Sequence, residues 1–155
     1  MREQVIERIE KEKLIAIVRG VSADQCSKVA NALYAGGVRL MEITYNQKDP
    51  ASWQQTAEAI GALTEEFGGK MLFGAGTVTN VELVELTHAH GGKYIISPDT
   101  NVDVIKRTVE LGMVSLPGAM TPTEVMTAHD AGADFVKLFP AGDLGVSYLK
   151  AIRAP

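Results

Sequence analysis

The chain has 155 residues, of which 46% are hydrophobic and 22% are charged, and its formal net charge at pH 7 is −4. These values are typical of one globular domain with its own core, and the acidic balance argues against a nucleic-acid partner. The single cysteine, Cys26, excludes an internal disulfide. The sequence has no secretory signal and no apolar run of roughly 18 residues, so we expect a cytoplasmic protein with no membrane partner.

The predicted elements alternate between strand and helix along the whole chain. A short amphipathic helix around Val5, Ile6 and Ile9 comes first. Strands are then predicted at residues 14–18, 38–44, 71–77, 93–98, 113–118 and 135–139. Helices are predicted after them, at residues 22–34, 50–67, 80–90, 102–111, 122–131 and 146–152.

Residues that favour helix ends mark most of these boundaries. Ser22 and either Thr79 or Asn80 are the expected N-caps, and residues 121–124 have the Thr-x-x-Glu form of a capping box. Double glycines at 36–37, 68–69 and 91–92 precede strands, so we interpret them as helix ends and not as phosphate-binding loops.

Six strand–helix units predict a parallel α/β sheet, which is either left open or closed into a (β/α)8 barrel. The units repeat about every 24 residues, so eight of them need about 190 residues. The residues alone leave two interpretations: an open six-stranded sheet, or a barrel that lacks its last quarter.

The sixth predicted strand contains one lysine, Lys137, in an otherwise apolar run. Side chains alternate along a strand, so Phe135, Lys137 and Phe139 should share one face. Burial lowers the pKa of a lysine and favours the neutral amine that attacks a carbonyl to form a Schiff base. The alternative is a structural lysine that reaches water or pairs with a carboxylate.

Other polar residues fall at or near the carboxyl ends of the strands, where parallel sheets place their sites. Arg19 follows the first strand, and Glu42 is a carboxylate within the second. Residues 74–77, Gly-Ala-Gly-Thr, offer backbone N–H groups and a hydroxyl to an anion or carboxylate. Each of these residues also has a structural interpretation, as one member of an ion pair or a tight turn.

The coincidence of Glu42 with Lys137 favours chemistry, because burial of either charge alone is unfavourable and each relieves the other. A lysine nucleophile with a carboxylate that moves protons is the pattern of a Schiff-base lyase. His88 and His90 are two residues apart and cannot share a helical face, so we expect no metal site.

Six stretches of the chain, taken in order, resemble the 2-keto-3-deoxy-6-phosphogluconate aldolase family, which includes 4-hydroxy-2-oxoglutarate aldolases. The stretches are residues 15–19, 36–44, 74–78, 96–98, 116–124 and 136–141. The resemblance implies a class I aldolase on a (β/α)8 barrel, without metal or cofactor and commonly a homotrimer. It also implies reversible cleavage of 2-keto-3-deoxy-6-phosphogluconate to pyruvate and glyceraldehyde 3-phosphate.

By this resemblance, Lys137 is the Schiff-base lysine and Glu42 is the general acid/base. The implied substrate-binding residues are Arg19, Thr77, Gly74 and Gly76 at the pyruvate carboxylate, with Pro98 and Phe139 lining the pocket.

Two departures from the family pattern leave the substrate open. Asn46 stands where some members carry an arginine that contacts a carboxylate. Family chains also continue for two more strand–helix units, whose glycine-rich turns bind the substrate phosphate. The resemblance therefore implies one barrel domain over residues 1–155 with only its first six βα units, truncated at the C-terminus and without strands seven and eight. The alternatives are an aldolase for 4-hydroxy-2-oxoglutarate or 2-keto-3-deoxy-6-phosphogalactonate, or an inactive fragment.

Overall fold

A computed structural model describes residues 2–154, in which helices and short strands alternate. The helices are α1 (Arg2–Glu12), α2 (Ala23–Ala35), α3 (Trp53–Phe67), α4 (Val81–Ala89), α5 (Val102–Glu110), α6 (Pro122–Asp130) and α7 (Ala141–Ile152). The strands are β1 (Ile15–Val18), β2 (Leu40–Thr44), β3 (Leu72–Gly76), β4 (Tyr94–Ile96), β5 (Val114–Leu116), β6 (Gly118–Ala119) and β7 (Lys137–Leu138). A single 3-10 turn, Pro50–Ser52, leads into α3. The terminal residues 1 and 155 of the predicted domain lie outside the described part.

All strand pairs in the described residues are parallel, which confirms the predicted α/β class. The first five strands are neighbours in chain order, and β6 pairs with β7. Only Pro117 separates β5 from β6, and a proline has no N–H to donate to a strand ladder. The one predicted strand at 113–118 is therefore observed as two short strands.

The core has two parts, one on each face of the sheet. Side chains such as Met41 and Phe73 pack with helix residues, among them Ile60 of α3, in the larger part. The smaller part lies on the opposite face of the sheet. There Leu40, Tyr94 and their neighbours pack against Val5 and Ile9, the two buried residues of α1. Because strand side chains alternate, Glu42 shares the face of Leu40 and lies nearer to the carboxyl end of β2. α1 thus covers one end of this face, and the other end is left for a site.

The predicted buried strand at 135–139 is wrong in extent and in burial. Only Lys137 and Leu138 form strand, both are half-buried, and Phe139 is 46% exposed. Within residues 2–154, β7 has a strand neighbour on one side only, β6, so its other edge is open. An apolar run predicts a strand that is buried on both faces, but it does not show whether the strand has a neighbour on each of its two edges.

Several predicted boundaries also shift. The last helix begins at Ala141 and not at 146, although Gly145, at a φ of 76°, interrupts it, so the predicted segment corresponds to the part after this interruption. Asn80, and not Thr79, caps α4, because its side-chain oxygen accepts a hydrogen bond from the Leu83 N–H at 3.0 Å. Ser22 does occupy the N-cap position of α2, but its hydroxyl makes no capping hydrogen bond.

No helix among the described residues combines the length and the apolar character needed to cross a membrane.

Candidate active site

Glu42 is a buried carboxylate on the second strand of the five-stranded sheet. Its strand, β2, lies between β1 and β3, and its backbone pairs with Ile17 on one side and Gly74 on the other. The residue is only 4% exposed. Burial raises the pKa of Glu42 to about 7, although the positive charges of Lys137 and Arg19 act in the opposite direction. Near neutral pH this carboxyl therefore exists in both protonation states, as a general acid/base requires.

Two glycines of β3 make room for Glu42 and for the ring of Tyr94. A Cβ atom on Gly76 would overlap the Glu42 carboxylate, and a Cβ atom on Gly74 would overlap the ring of Tyr94. Tyr94 is fully buried, and burial, followed by the charge of Glu42, raises its pKa well above the ordinary value. The glycines predicted as a carboxylate cradle thus have a second use, because Gly76 leaves the space that the Glu42 carboxylate occupies and Gly74 leaves the space for the Tyr94 ring.

Lys137 approaches the same region from β7. Its backbone pairs with Gly118, and its Nζ atom lies 4.6 Å from the centroid of the Phe139 ring. Burial lowers the pKa of Lys137, and the charge of Arg19 adds to this, while Glu42 and Asp99 raise it. The salt bridges found among residues 2–154 do not include a Glu42–Lys137 pair within 4.0 Å, so the two groups interact through their charges and not as a direct ion pair.

Arg19 and Thr77 meet at the rim, where the predicted carboxylate site lies. The Arg19 Nη2 atom donates to the Thr77 hydroxyl at 3.5 Å. Both residues line an open cleft of about 410 Å³ together with Thr44, Asn46 and other residues of the loop after β2. Arg19 is exposed, so its guanidinium is accessible to an anion from solvent.

The remaining predicted residues flank this region. Pro98 follows β4 and is half-buried, and its backbone packs so closely against Gly118 that a Cβ atom there would overlap the Pro98 carbonyl. Phe139 lies beside the Lys137 ammonium, as the shared-face prediction requires, but it is largely open to solvent.

Two residues near the site were missed from the sequence. Asp99 is close enough to Lys137 to raise its pKa, and its position directly after the fourth strand was an available signal. The Tyr94 ring lies against Gly74, the strand partner of Glu42, and only the structure reveals this, because a tyrosine in a buried strand resembles any other core residue. Within residues 2–154 no three His, Cys, Asp or Glu side chains are grouped so as to hold a metal ion.

Comparison with known proteins identifies the family of this chain. The family model for KDPG and KHG aldolases matches residues 5–155. This chain belongs to the KDPG and KHG aldolase family. The chain is similar to the 2-dehydro-3-deoxy-6-phosphogalactonate aldolase of Escherichia coli (strain K12), with 38% identity over 144 residues, 93% of this chain and 67% of the relative. The 2-dehydro-3-deoxy-phosphogluconate aldolase of Treponema pallidum is 32% identical over 152 residues, 97% of this chain and 69% of that relative.

Among solved KDPG aldolases, that of Legionella pneumophila has pyruvate captured as a covalent carbinolamine intermediate. It superposes with a TM-score of 0.78 at 27% identity, over 89% of this chain and 64% of its own. The chain therefore spans about two thirds of the length of these aldolases.

Proposed function

We propose that this protein is a class I aldolase that reversibly cleaves 2-keto-3-deoxy-6-phosphogluconate to pyruvate and glyceraldehyde 3-phosphate. The observation that carries the proposal is the opposite displacement of two pKa values in one region. Burial lowers the pKa of the Lys137 ammonium and raises that of the Glu42 carboxyl to about 7. The first shift favours the neutral amine nucleophile, and the second provides a proton carrier near neutral pH.

In the proposed reaction the neutral Lys137 amine attacks the C2 carbonyl of the substrate and forms a carbinolamine, which loses water to give a protonated imine. This imine withdraws electrons from the adjacent C3–C4 bond. The lack of a direct Lys137–Glu42 ion pair supports this role, because such a pair would hold the lysine protonated.

Glu42 would then accept the proton of the C4 hydroxyl as the C3–C4 bond breaks. The aldehyde leaves and an enamine of pyruvate remains on Lys137. Protonation of the enamine at C3 restores the imine, and water releases pyruvate and the free amine. In the reverse direction the Glu42 carboxylate removes a proton from the methyl group of the pyruvate imine.

The carboxylate of the keto acid would bind at the rim. The guanidinium of Arg19 and the hydroxyl of Thr77, with the backbone around Gly74 and Gly76, form a site of suitable charge. Pro98 and Phe139 would form the wall beside the imine. Phe139 also covers the Lys137 Nζ atom with its ring, which keeps part of the amine away from water.

A second candidate substrate is 2-keto-3-deoxy-6-phosphogalactonate, which differs from the gluconate compound in configuration at C4. It is favoured by the 38% identity to the Escherichia coli galactonate aldolase, compared with 32% to the gluconate aldolase of Treponema pallidum. C4 is the carbon at which the aldol bond forms. Condensation of pyruvate with glyceraldehyde 3-phosphate, followed by assignment of the C4 configuration of the product, distinguishes the two, and 4-hydroxy-2-oxoglutarate should be assayed beside them.

Lys137 is the residue on which the proposal depends. Borohydride reduction in the presence of pyruvate should add the mass of the reduced pyruvyl group to the peptide that contains Lys137. Lys137→Met should abolish this addition, while Lys48→Met should not, although Lys48 also lines the cleft. A label on another lysine would refute the assignment to Lys137, and no label in a folded sample would leave the inactive alternative.

The proposed function carries three further expectations. The sequential parallel strand order supports a sheet that forms part of a (β/α)8 barrel, because an open doubly wound sheet reverses its strand order at a switch point. The resemblance also supports a homotrimer. A role in sugar-acid breakdown of the Entner–Doudoroff type, in the cytoplasm, follows from the proposed substrate.

A further inference from the structure

Thr77 has an unusual backbone for its residue type. Its φ angle is 58°, in the left-handed region that β-branched residues disfavour. Such a conformation persists only where the surroundings enforce it, and it occurs most often at functional sites. Something near Thr77 must therefore hold this turn.

The carboxamide of Gln47 binds the turn from the neighbouring loop. Its Nε2 atom donates to the backbone carbonyl of Thr77 at 2.7 Å, and its Oε1 atom accepts from the Thr79 hydroxyl at 3.0 Å. A carbonyl oxygen can only accept, so the NH2 group must face Thr77, and the orientation of the carboxamide is fixed. One side chain thus binds both ends of the turn at 77–79.

This contact connects the loop after β2 to the carboxylate site. Gln47 lines the same cleft as Arg19 and Thr77. The Thr77 hydroxyl, whose direction depends on the left-handed turn, accepts the hydrogen bond from Arg19. The Asn101 side chain donates to the Thr79 carbonyl at 3.3 Å, so the turn is also supported from the loop before α5.

We propose that Gln47 is a positioning residue, which holds Thr77 in the left-handed conformation and thereby fixes the site for the keto acid carboxylate. This inference rests on the proposed function, in which Arg19 and Thr77 bind that carboxylate. Gln47 does not touch the reacting carbon, so its loss weakens binding of the keto acid and leaves the chemistry on Lys137 intact.

Two substitutions of Gln47 test the inference on the whole chain. Gln47→Leu removes both polar atoms, while Gln47→Glu keeps the shape and the acceptor for Thr79 but places a carboxylate oxygen against the Thr77 carbonyl. Gln54→Leu is the matched control, since Gln54 is an exposed glutamine on α3 whose amide contacts Glu58. The measurements are the pyruvate concentration that gives half-maximal borohydride trapping, the trapping at saturating pyruvate, and amide hydrogen exchange at residues 77–79.

For both Gln47 variants we expect the half-maximal pyruvate concentration to rise about 10- to 100-fold, the range that misplacement of a binding group produces. Trapping at saturating pyruvate and the unfolding temperature should stay at the wild-type values. Exchange at 77–79 should become faster, and Gln54→Leu should change none of these quantities. A role in stability alone would lower the unfolding temperature without the selective change in pyruvate dependence.

An unchanged half-maximal concentration in Gln47→Leu would overturn the inference, as would unchanged exchange at 77–79. If the wild-type protein traps no pyruvate, the proposed function has failed by a separate criterion. The exchange rates then decide about Gln47: faster exchange in both variants supports its hold on Thr77, and wild-type rates refute it.

Discussion

The Glu42 carboxyl occupies an environment that favours its neutral form, and two nearby cations compensate only in part. Glu42→Gln keeps the shape and removes the titrating group. We expect turnover to fall about 10²- to 10⁴-fold, as for other positioned acid/base groups, while pyruvate trapping on Lys137 persists. Steady-state kinetics and trapping of the same preparation test this, and an unchanged rate would return Glu42 to a structural role.

The same variant should change how stability depends on pH. The pKa of Glu42 is about 7 in the folded protein against an ordinary value of 4.5, so the unfolded chain releases this proton first as the pH rises. The contribution of Glu42 to stability is therefore fully present below pH 4.5 and is lost as the pH rises through about 7. Relative to Glu42→Gln, the wild-type protein should lose stability on the order of 3 kcal/mol between pH 5 and pH 8. Urea unfolding of both proteins at the two pH values measures this difference.

Gly76 should tolerate no side chain. A methyl group there would overlap the Glu42 carboxylate and would lie 3.0 Å from the Thr44 methyl carbon. We expect Gly76→Ala to lower turnover at least tenfold and to cost about 1–3 kcal/mol of stability, as overpacked cores do. Gly36→Ala is the control, because its Cβ would meet no atom nearer than 3.5 Å and its φ is an ordinary −77°. Wild-type turnover in Gly76→Ala would show that Glu42 does not need this space.

At the scale of the elements, the sequence predicted best those features that depend on backbone hydrogen bonds between neighbouring residues. The capping box of α6 forms as expected: the Thr121 hydroxyl accepts from the Glu124 N–H, and the Glu124 carboxylate accepts from the Thr121 N–H. Hydrogen bonds to the Glu124 carboxylate, first from the Met120 N–H and then from the N–H and hydroxyl of Thr121, lower the pKa of Glu124. A capping box depends on four consecutive residues, so the sequence contains all of it.

Thr121→Ala should therefore destabilise the protein by about 0.5–2 kcal/mol through loss of the α6 N-cap. Thr123→Ala, at an exposed position two residues later, is the matched control and should change stability much less. Thermal unfolding of the two variants decides. Equal effects would mean that the cap contributes no more than an ordinary first-turn residue.

Features that depend on residues far apart in the sequence were predicted less well. The run at 135–139 indicated a buried strand, but only two of its residues are strand, because β7 pairs on one side alone within the described chain. Arg19 was selected at the end of the first strand, and Glu42 and Lys137 were selected as charged residues within apolar strands. Parallel strands place their sites at their carboxyl ends, which is why these three could be selected together. Gln47 and Tyr94 were not identified as candidate site residues, because their contacts join loops and strands that are far apart in the sequence.

At the scale of the whole molecule, the described sheet ends in open edges. Within residues 2–154, β1 pairs only with β2, and Ile17 on this edge strand is 65% exposed. Unpaired N–H and C=O groups beside exposed apolar side chains favour association between chains. A preparation of residues 1–155 should therefore form larger species as its concentration rises, as measured by sedimentation velocity.

A lysine on an edge strand opposes such pairing, so Ile17→Lys should reduce this association. Met126→Lys is the control, because Met126 is similarly exposed, at 55%, but lies on α6. A discrete trimer that Ile17→Lys leaves intact would contradict association through the edge and would support the proposed homotrimer instead.

The side of β3 that carries Gly74 and Gly76 also limits which substitutions can alter the substrate preference of this protein during evolution. Most binding pockets can be widened or narrowed by exchanging one wall residue for another of different size. Here no residue is smaller than glycine, and any larger one collides with Tyr94 or Glu42. New aldehyde preferences must therefore arise elsewhere, in the loops at the rim. In a laboratory selection for altered substrates, we expect accepted changes to accumulate at positions such as Asn46 and Lys48, while positions 74 and 76 stay fixed.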